Sequence, residues 1–395
     1  MHKPNDVPYL IRRTHEERIL ATLRESGPLT RLELERRVGL SRTTLSDITA
    51  ALLRRGAIVE REPLVERRGR GRPATQLALD PASGQFLGVD FGHRRVHVAV
   101  VNASNEVIVS GERAYSVDTP WGERVSATLE LLTDLTRAAG VGLLALEGIG
   151  IGVPGPLSTT FGGLGRTSPL WLARGRDELL DLVRARFADN YSAPLTLDNN
   201  TRLAALGEAV WGQTPEVDSL LYIRLSDGVG GGLVVGGRLV SGASAAAGEI
   251  GHVTVDPDGP LCWCGKNGCL ETVASVPAIR ARLADPSVDA AEVVRAAGEA
   301  TGRALAAAAF VIDPRDVVIA GDALRFPGFV DAASGAFERE TLPMGGGCTL
   351  RPSTLRDEAG ALGAIAAAFH QSPLLHGYPG LTSVPDYTDL ERLQA

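Results

Sequence analysis

Residues 248–271 read GEIGHVTVDPDGPLCWCGKNGCLE and hold three of the four cysteines of this 395-residue chain. The cysteines follow a histidine and are interleaved with glycines, which let a chain fold back tightly. One imidazole and three thiolates form a Cys₃His set, which suits tetrahedral zinc. A redox pair is the alternative, although Cys-x-Cys is an awkward disulfide spacing. The pattern therefore predicts zinc bound by four ligands: His252, Cys262, Cys264 and Cys269.

The predicted zinc has a structural role, because four protein ligands leave no open position for a catalytic water. The second ring nitrogen of His252 stays available for a hydrogen bond. The loop would also aim the carboxylates of Glu249 and Glu271 at one point, and such acceptors suit the hydroxyls of a polyol. Both glutamates could instead be ordinary surface residues of a loop. The fourth cysteine, Cys348, is expected to be a core thiol.

Residues 1–80 have the pattern of a winged helix-turn-helix. Thr30 and Glu33 predict a capping box, a short glycine-containing turn follows at 38–40, and Ser41 caps a second helix. The apolar residues of that second helix recur at helical spacing and should face the core of the module. The positions left exposed near its start are the expected contacts with bases: Arg42, Thr43, Thr44, Ser46 and Asp47.

A basic hairpin is predicted to follow the two helices. AIVER and TQLALD read as strands on either side of the loop ERRGRGRPA, whose arginines can approach phosphates or a narrow minor groove. They are Arg67, Arg68, Arg70 and Arg72. Residues 1–80 carry 16 basic and 11 acidic side chains (+5), whereas residues 81–395 carry 24 and 36 (−12). A helix-turn-helix can serve protein binding or dimerisation alone, but the basic wing favours operator DNA, bound by a homodimer or higher homo-oligomer.

Residues 81–371 have a duplicated α/β pattern. QFLGVDFGHRRVHVAVVNASNEVIVSGERAYS reads as a three-stranded antiparallel meander, and SLLYIRLSDGVGGGLVVGGRLVSG is a weaker second copy. Helix-rich sequence follows each copy, which predicts two lobes with a cleft between them. The glycine-rich strand ends could cradle phosphates, although each glycine alone fits a tight hairpin equally well. A P-loop is excluded, because no GxxxxGK[ST] motif occurs and the lysines are Lys3 and Lys266.

Several of these motifs together resemble the ROK family (repressor, open reading frame, kinase). The motifs are GIGIGVPGPL, LDNNTRLAALGE, GVGGG and, above all, the cysteine-containing stretch quoted first, and the resemblance covers roughly residues 84–370. It implies an actin-like, RNase H-like ATPase fold of two lobes and a zinc in the cysteine motif. The winged helix and its GRGRPA wing resemble the repressor branch. Residues 372–395 match nothing in the family and are expected to form a flexible tail.

The resemblance also implies a sugar site. The family's sugar contacts fall on the following residues of this chain: Gly155, Asn199, Glu249, His252 and Glu271. Gly155, in the PGP loop, could equally well only shape a turn. The implied effector is therefore a sugar or sugar derivative.

Three departures from the family's kinases argue against catalysis. The kinases place an aspartate third in a Glu-Asn-Asp triplet, as general base, and here the triplet is 198–200, Asp-Asn-Asn. An amide cannot act as a general base, a role worth roughly 10²–10⁴-fold in rate. The DxGxT phosphate loop reads DFGHR and lacks its threonine, and a GTG loop has become Ser-Asp-Gly at 226–228, which adds negative charge beside ATP phosphates. No catalytic residue is therefore expected.

The sequence thus predicts a sugar-responsive transcriptional regulator, most simply a repressor released from DNA by its sugar. An active, glucokinase-like sugar kinase with a DNA-binding appendage is the first alternative. A DNA-architectural or interaction protein is the second, and it would leave the Glu249, His252, Glu271 constellation without a use. The N-terminus has no apolar stretch typical of a signal peptide, and the apolar run at 304–312 is too short to span a bilayer, so a cytoplasmic location without membrane contact is expected.

Overall fold

The protein is described here from a computed structural model. It describes residues 15–371 apart from 17, 21, 24–25, 27, 55–56, 62–74, 80–83, 103–105, 144–145, 156–175, 192, 214–218, 244–245 and 342–346. The predicted wing arginines Arg67, Arg68, Arg70 and Arg72 and the predicted tail 372–395 therefore lie outside the described residues.

The N-terminal module contains the two predicted helices and a small sheet. Its elements are β1 (Leu29–Thr30), α1 (Arg31–Val38), α2 (Arg42–Arg54), β2 (Ile58–Arg61) and β3 (Gln76–Leu79). The capping box is confirmed, since the Thr30 side chain accepts from the Glu33 amide and the Glu33 carboxylate accepts from the Thr30 amide. Gly39 ends α1 in the left-handed conformation (φ 66°), and the Ser41 hydroxyl accepts from the Thr44 amide at the start of α2.

The core of this module is formed by the residues that the helical spacing predicted to face inward. Leu45, Ile48 and Leu52 of α2 are buried, and Leu34 of α1 packs in the same cluster. The three strands pair in the antiparallel order β1-β3-β2. The arrangement of α1, the turn at Gly39 and α2, with the antiparallel pair β2–β3 after them, is consistent with the predicted winged helix-turn-helix.

The body contains two five-stranded sheets of the same topology. The first has the order β6-β5-β4-β7-β8 and the second the order β11-β10-β9-β12-β13. In each, an antiparallel meander is extended by two parallel strands, so the predicted duplication is confirmed. The strands of the first sheet are β4 (Gln85–Phe91), β5 (Arg95–Val101), β6 (Val107–Ala114), β7 (Leu146–Val153) and β8 (Leu195–Asn199). Those of the second are β9 (Ser219–Leu225), β10 (Val229–Val235), β11 (Arg238–Leu239), β12 (Asp316–Ala320) and β13 (Thr349–Pro352).

Helices cover both sheets and separate them. They are α3 (Trp121–Ala139), α4 (Arg176–Asn190), α5 (Asn200–Trp211), α6 (Glu271–Ala274), α7 (Val276–Leu283), α8 (Ala290–Ile312), α9 (Phe329–Thr341) and α10 (Ala359–Gln371). Helices α3 and α8 lie where helix-rich sequence was predicted. Helix α5 packs on β9 and β10, α10 packs on β4, β5, β7 and β8, and the two helices pack on each other.

Glycines let α10 lie directly on the first sheet. A Cβ at Gly150 of β7 would lie 1.8 Å from the carbonyl oxygen of Ala364, and one at Gly88 of β4 would lie 2.0 Å from that of Ala361. Any side chain at either position would therefore push the helix off the sheet. The apolar face of α10 fills the same interface, where the rings of Phe86 and Phe369 lie 4.1 Å apart between centroids.

No helix in the described ranges combines the length and the apolar character needed to cross a membrane.

Candidate functional site

A cleft of 310 Å³ lies between the two lobes. Its walls come from the β4–β5 turn, the β8–α5 junction, the β9–β10 turn and the end of β12, together with the cysteine motif. All five residues implied as sugar contacts line it: Gly155, Asn199, Glu249, His252 and Glu271. The same cleft is lined by residues of 90–94 and 226–228, the two stretches that the resemblance matched with the phosphate loops of the kinases. Gly155 has φ 89°, so a glycine is needed there to make the turn, whatever else it contacts.

The four predicted metal ligands form one cluster. Their ligand atoms all lie within 4.8 Å of one another. Nδ1 of His252 is 3.6 Å from Sγ of Cys262, and Sγ of Cys264 is 3.6 Å from Sγ of Cys269. Two sulfurs of a tetrahedral site with zinc–sulfur bonds of about 2.3 Å lie roughly 3.8 Å apart, so the donor set fits zinc.

Tight turns shape this cluster. The Cys262 amide donates to the Lys266 carbonyl at 2.7 Å, and the Gly265 amide donates to the Cys262 carbonyl at 2.9 Å. Burial lowers the pKa of His252, against the opposing charge of Glu271, which favours the neutral imidazole that a metal requires. Burial also raises the pKa of the Cys269 thiol to about 12, so a thiolate at this position needs a bound cation.

Two glutamates and a tryptophan form the side of the metal loop that faces the cleft. Nε2 of His252 is turned away from the sulfurs and lies 3.8 Å from a carboxylate oxygen of Glu249. Glu271, the first residue of α6, accepts a 2.9 Å hydrogen bond from the Val229 amide through Oε2 and a hydrogen bond from the Trp263 indole through Oε1. Glu271 is thus held at the cleft by two hydrogen bonds, and Glu249 lines the same cleft.

The β8–α5 junction places two asparagine amides at the cleft. Asn199 caps α5, since its side chain accepts from the amides of Thr201 and Arg202. Asn200 is buried, lines the cleft and donates from Nδ2 to the Phe91 carbonyl at 2.9 Å. The neighbouring carboxylate, Asp198, is absent from the cleft wall and lies 3.4 Å from Arg202. Burial raises the pKa of Asp198, against the charge of Arg202.

Two arginine–aspartate pairs join the two lobes at the cleft. Nη2 of Arg224, in β9, lies 3.1 Å from Oδ2 of Asp90, in β4, and Asp90 is only 2% exposed. At the cleft mouth Nε of Arg94 lies 2.8 Å from Oδ1 of Asp227. The negative charge that the sequence placed at 227 is therefore paired with a cation of the opposite lobe.

The turn that carries Arg94 is itself braced. The Tyr115 hydroxyl lies 2.8 Å from the Gly92 carbonyl and 2.9 Å from the Arg95 carbonyl. The Arg124 guanidinium stacks over the Tyr115 ring, with 4.7 Å from Cζ to the centroid. This bracing holds the β4–β5 turn in the position in which its arginine reaches the second lobe.

The start of α2 has the surface expected of a recognition helix. Arg42, Thr43, Ser46 and Asp47 are exposed, as predicted. Thr44 is only half-buried, but its hydroxyl lies 2.8 Å from the Ser41 hydroxyl, within the helix cap. Thr44 is therefore the least available of the five predicted contacts. The wing arginines lie outside the described residues.

Sequence reasoning missed Arg224 and Trp263. Arg224 had a visible signal, because a charged residue in the otherwise apolar strand SLLYIRL must either leave the sheet or find a buried partner. Trp263 had a weaker one, since it lies between two predicted metal ligands and so cannot turn far from the site.

Comparison with known proteins places the body in a family. The ROK family model matches residues 86–371, which is most of the chain. The chain is similar to the xylose repressor of Caldicellulosiruptor bescii, with 29% identity over 68% of this chain and 66% of that protein. It is also similar to the DNA-binding transcriptional dual regulator NagC of Escherichia coli, with 25% identity over 79% of this chain and 81% of that protein. The chain thus spans slightly less than two thirds of the length of the xylose repressor.

Solved structures share the fold. A ROK family transcriptional regulator described as a homologue of E. coli MLC aligns with a TM-score of 0.68 and 22% identity over 90% of this chain and 96% of that one. The ROK hexokinase of Thermus thermophilus aligns with a TM-score of 0.58 and 28% identity over 72% of this chain and 98% of that one. The regulator therefore matches more of this chain than the hexokinase does.

Proposed function

The chain belongs to the ROK family, and from this premise we propose that it is a sugar-responsive transcriptional repressor, released from operator DNA when a sugar enters the cleft. One observation carries the proposal: two helices with the arrangement of a helix-turn-helix precede a body in which the buried amide of Asn200 lines the cleft, at the position that the resemblance gives to the kinases' general base. One relative named as a xylose repressor and one named as a DNA-binding transcriptional dual regulator support a regulatory function. Such a regulator acts in the cytoplasm, where its operator lies.

The proposed sugar site consists of the cleft residues Asn199, Glu249, His252 and Glu271, beside Gly155. Carboxylates accept hydrogen bonds from sugar hydroxyls, and Nε2 of His252 can bond a hydroxyl while Nδ1 faces the cysteines. Zinc would hold the loop and supply no chemistry, because its four positions are filled by protein. D-Xylose is the first sugar to test, because one relative is named as a xylose repressor.

The alternative of an active kinase draws support from the hexokinase likeness. Three features of the cleft weigh against it. Asn200 is bonded to a backbone carbonyl, Asp198 is paired with Arg202 away from the cleft wall, and Asp90 is neutralised by Arg224. Phosphoryl transfer needs a positioned base and metal-bound phosphates. The carboxylates of Asp198 and Asp90, which could serve these purposes, are instead paired with arginines.

DNA binding is proposed to require a homodimer, because one winged helix covers one half-site and two-fold proteins read inverted half-sites. The bases would be contacted by Arg42, Thr43, Ser46 and Asp47, and Thr44 would contribute mainly through the helix cap. The phosphates or the minor groove would be contacted by the wing arginines Arg68, Arg70 and Arg72. Sugar binding would change the arrangement of the lobes and so the spacing of the two winged helices of the dimer. The resulting coupling free energy between sugar binding and DNA binding is typically about 1–3 kcal/mol.

The deciding experiment selects a binding sequence from random DNA and then measures its affinity with and without each sugar of a panel of pentoses, hexoses and amino sugars. We expect specific binding that one sugar weakens about 5–150-fold. Glu271→Ala should retain DNA binding and lose the sugar effect. Specific DNA binding that no sugar changes would contradict the proposal, and turnover of Mg-ATP with a bound sugar would favour the kinase.

A further inference from the structure

Trp263 is held by the metal loop at the end of the cleft that contains Glu271 and His252. It lies between Cys262 and Cys264, two of the clustered ligands, and the turn that carries them is closed by backbone hydrogen bonds. Its side chain is half-buried and lines the cleft together with Glu271 and His252. The position of the indole is therefore set by the same loop that positions the polar contacts.

The indole makes two directed contacts within this wall. Its Nε1–H donates to Oε1 of Glu271, whose other oxygen accepts from the Val229 amide. Its ring meets the His252 imidazole edge to face, with 4.7 Å between centroids and an angle of 82°. A carboxylate held from both sides has few rotamers left, so Trp263 fixes the direction in which Glu271 presents its remaining lone pairs.

The aromatic surface also supplies what the polar groups lack. A pyranose carries hydroxyls around its edge and C–H groups on the faces of its ring. Carboxylates and imidazole can satisfy the hydroxyls, whereas the C–H faces need an apolar partner, and an aromatic face, with its negative quadrupole, suits weakly positive C–H groups. In the described part of the cleft wall the other large aromatic residue is Tyr222, whose side chain is fully buried.

We propose that Trp263 is a specificity-determining residue of the sugar site. The indole packs on a C–H face of a cyclic sugar and at the same time orients Glu271 toward a hydroxyl. The cleft then selects closed pyranose rings over open-chain polyols with the same hydroxyls. This inference rests on the proposed sugar function.

The test compares each sugar that binds the wild-type protein with its alditol, for example D-xylose with xylitol, by calorimetry. Trp263→Phe keeps a ring but loses the donor to Glu271, so we expect affinity for both ligands to fall about tenfold with their ratio preserved. Trp263→Leu loses both contributions, so its affinity for the ring sugar should fall further and the ratio should approach one. Zinc content measured on each variant checks that the loop is intact.

Fluorescence provides a second readout, one that does not depend on the leucine variant folding. The chain has four tryptophans, and the sugar should change the emission of the wild type and of the control Trp211→Phe, but not that of Trp263→Phe. Wild-type affinities in both Trp263 variants, or a sugar-dependent emission change that persists in Trp263→Phe, would overturn the inference while leaving the proposed function standing. A wild-type protein that binds none of the sugars overturns both.

Discussion

Nη2 of Arg224 and Oδ2 of Asp90 lie 3.1 Å apart, although the two residues are 134 positions apart in the chain and belong to different sheets. Asp90 is the penultimate residue of the first strand of one lobe, and Arg224 is the penultimate residue of the corresponding strand of the other. The buried carboxylate of Asp90 is thus paired with a cation of the opposite lobe, and the pair joins the two lobes inside the cleft.

Removal of that cation should be costly. Arg224→Met leaves Asp90 buried and unpaired, and we expect the free energy of unfolding to fall by about 3–5 kcal/mol, whereas Asp90→Asn together with Arg224→Met should recover most of the loss. Urea denaturation of the three proteins measures this. Arg94→Met is the matched control, because its pair is exposed at the cleft mouth and should contribute less than about 1 kcal/mol. Equal effects at 94 and 224 would contradict this account.

Zinc should be present at about one ion per chain and should stabilise the loop at 252–271. Cys264→Ser should lose the metal and lower the melting temperature, because the ligand cluster has no spare donor among the four. Cys348 is a half-buried thiol that packs against the apolar core of the second lobe, so Cys348→Ser should keep the metal. Metal analysis and thermal unfolding of both variants provide the check. A metal-free wild type that binds sugar and keeps its melting temperature would argue against a structural ion.

Sequence-specific DNA binding should depend on the start of α2. Arg42→Ala should cost about 1–3 kcal/mol at the preferred site and relax base choice, whereas Arg54→Ala, at the other end of the same helix, should change little. Arg70→Ala should weaken binding to all sequences and reduce the salt slope by about one. Anisotropy titrations with specific and scrambled DNA at several salt concentrations separate these effects. If Arg42→Ala and Arg70→Ala both match the wild type, the module does not read the DNA.

Phosphoryl transfer should be absent, and restoring the acid should not rescue it. In Asn200→Asp a carboxylate would face the Phe91 carbonyl at the position where the amide now donates, so the two oxygens would repel each other and the base would be misplaced. A coupled assay with Mg-ATP and every bound sugar should detect no turnover in either protein. A rate near the roughly 1–100 s⁻¹ of kinases, abolished by Asp198→Asn, would overturn the regulator proposal.

Local signals predicted most elements of this fold. The apolar spacing of Leu45, Ile48 and Leu52 and the capping box at Thr30 predicted the helix-turn-helix, and alternation predicted both meanders. The metal cluster was predictable for the same reason, since its ligands lie within 18 residues, 252–269. The pairing of Arg224 with Asp90 could not be predicted, because no local pattern states which strand ends face each other across two sheets. The hydrogen bond of Trp263 to Glu271 depends on side-chain direction, which spacing alone does not give.

The position of α10 in the chain determines when the first lobe can complete its folding during synthesis. This helix covers the first sheet, yet it begins at residue 359, after the last strand of the second sheet and 160 residues beyond the end of β8 at 199. At about 5–20 residues per second, a ribosome needs roughly 8–32 s to add that stretch. Throughout that interval the apolar face of the first sheet around Phe86 is not covered by α10. The first lobe therefore cannot finish folding until the second lobe has been synthesised, and its exposed apolar face can bind chaperones or aggregate. A chain cut before 359 should therefore leave an insoluble product and not an independent first lobe.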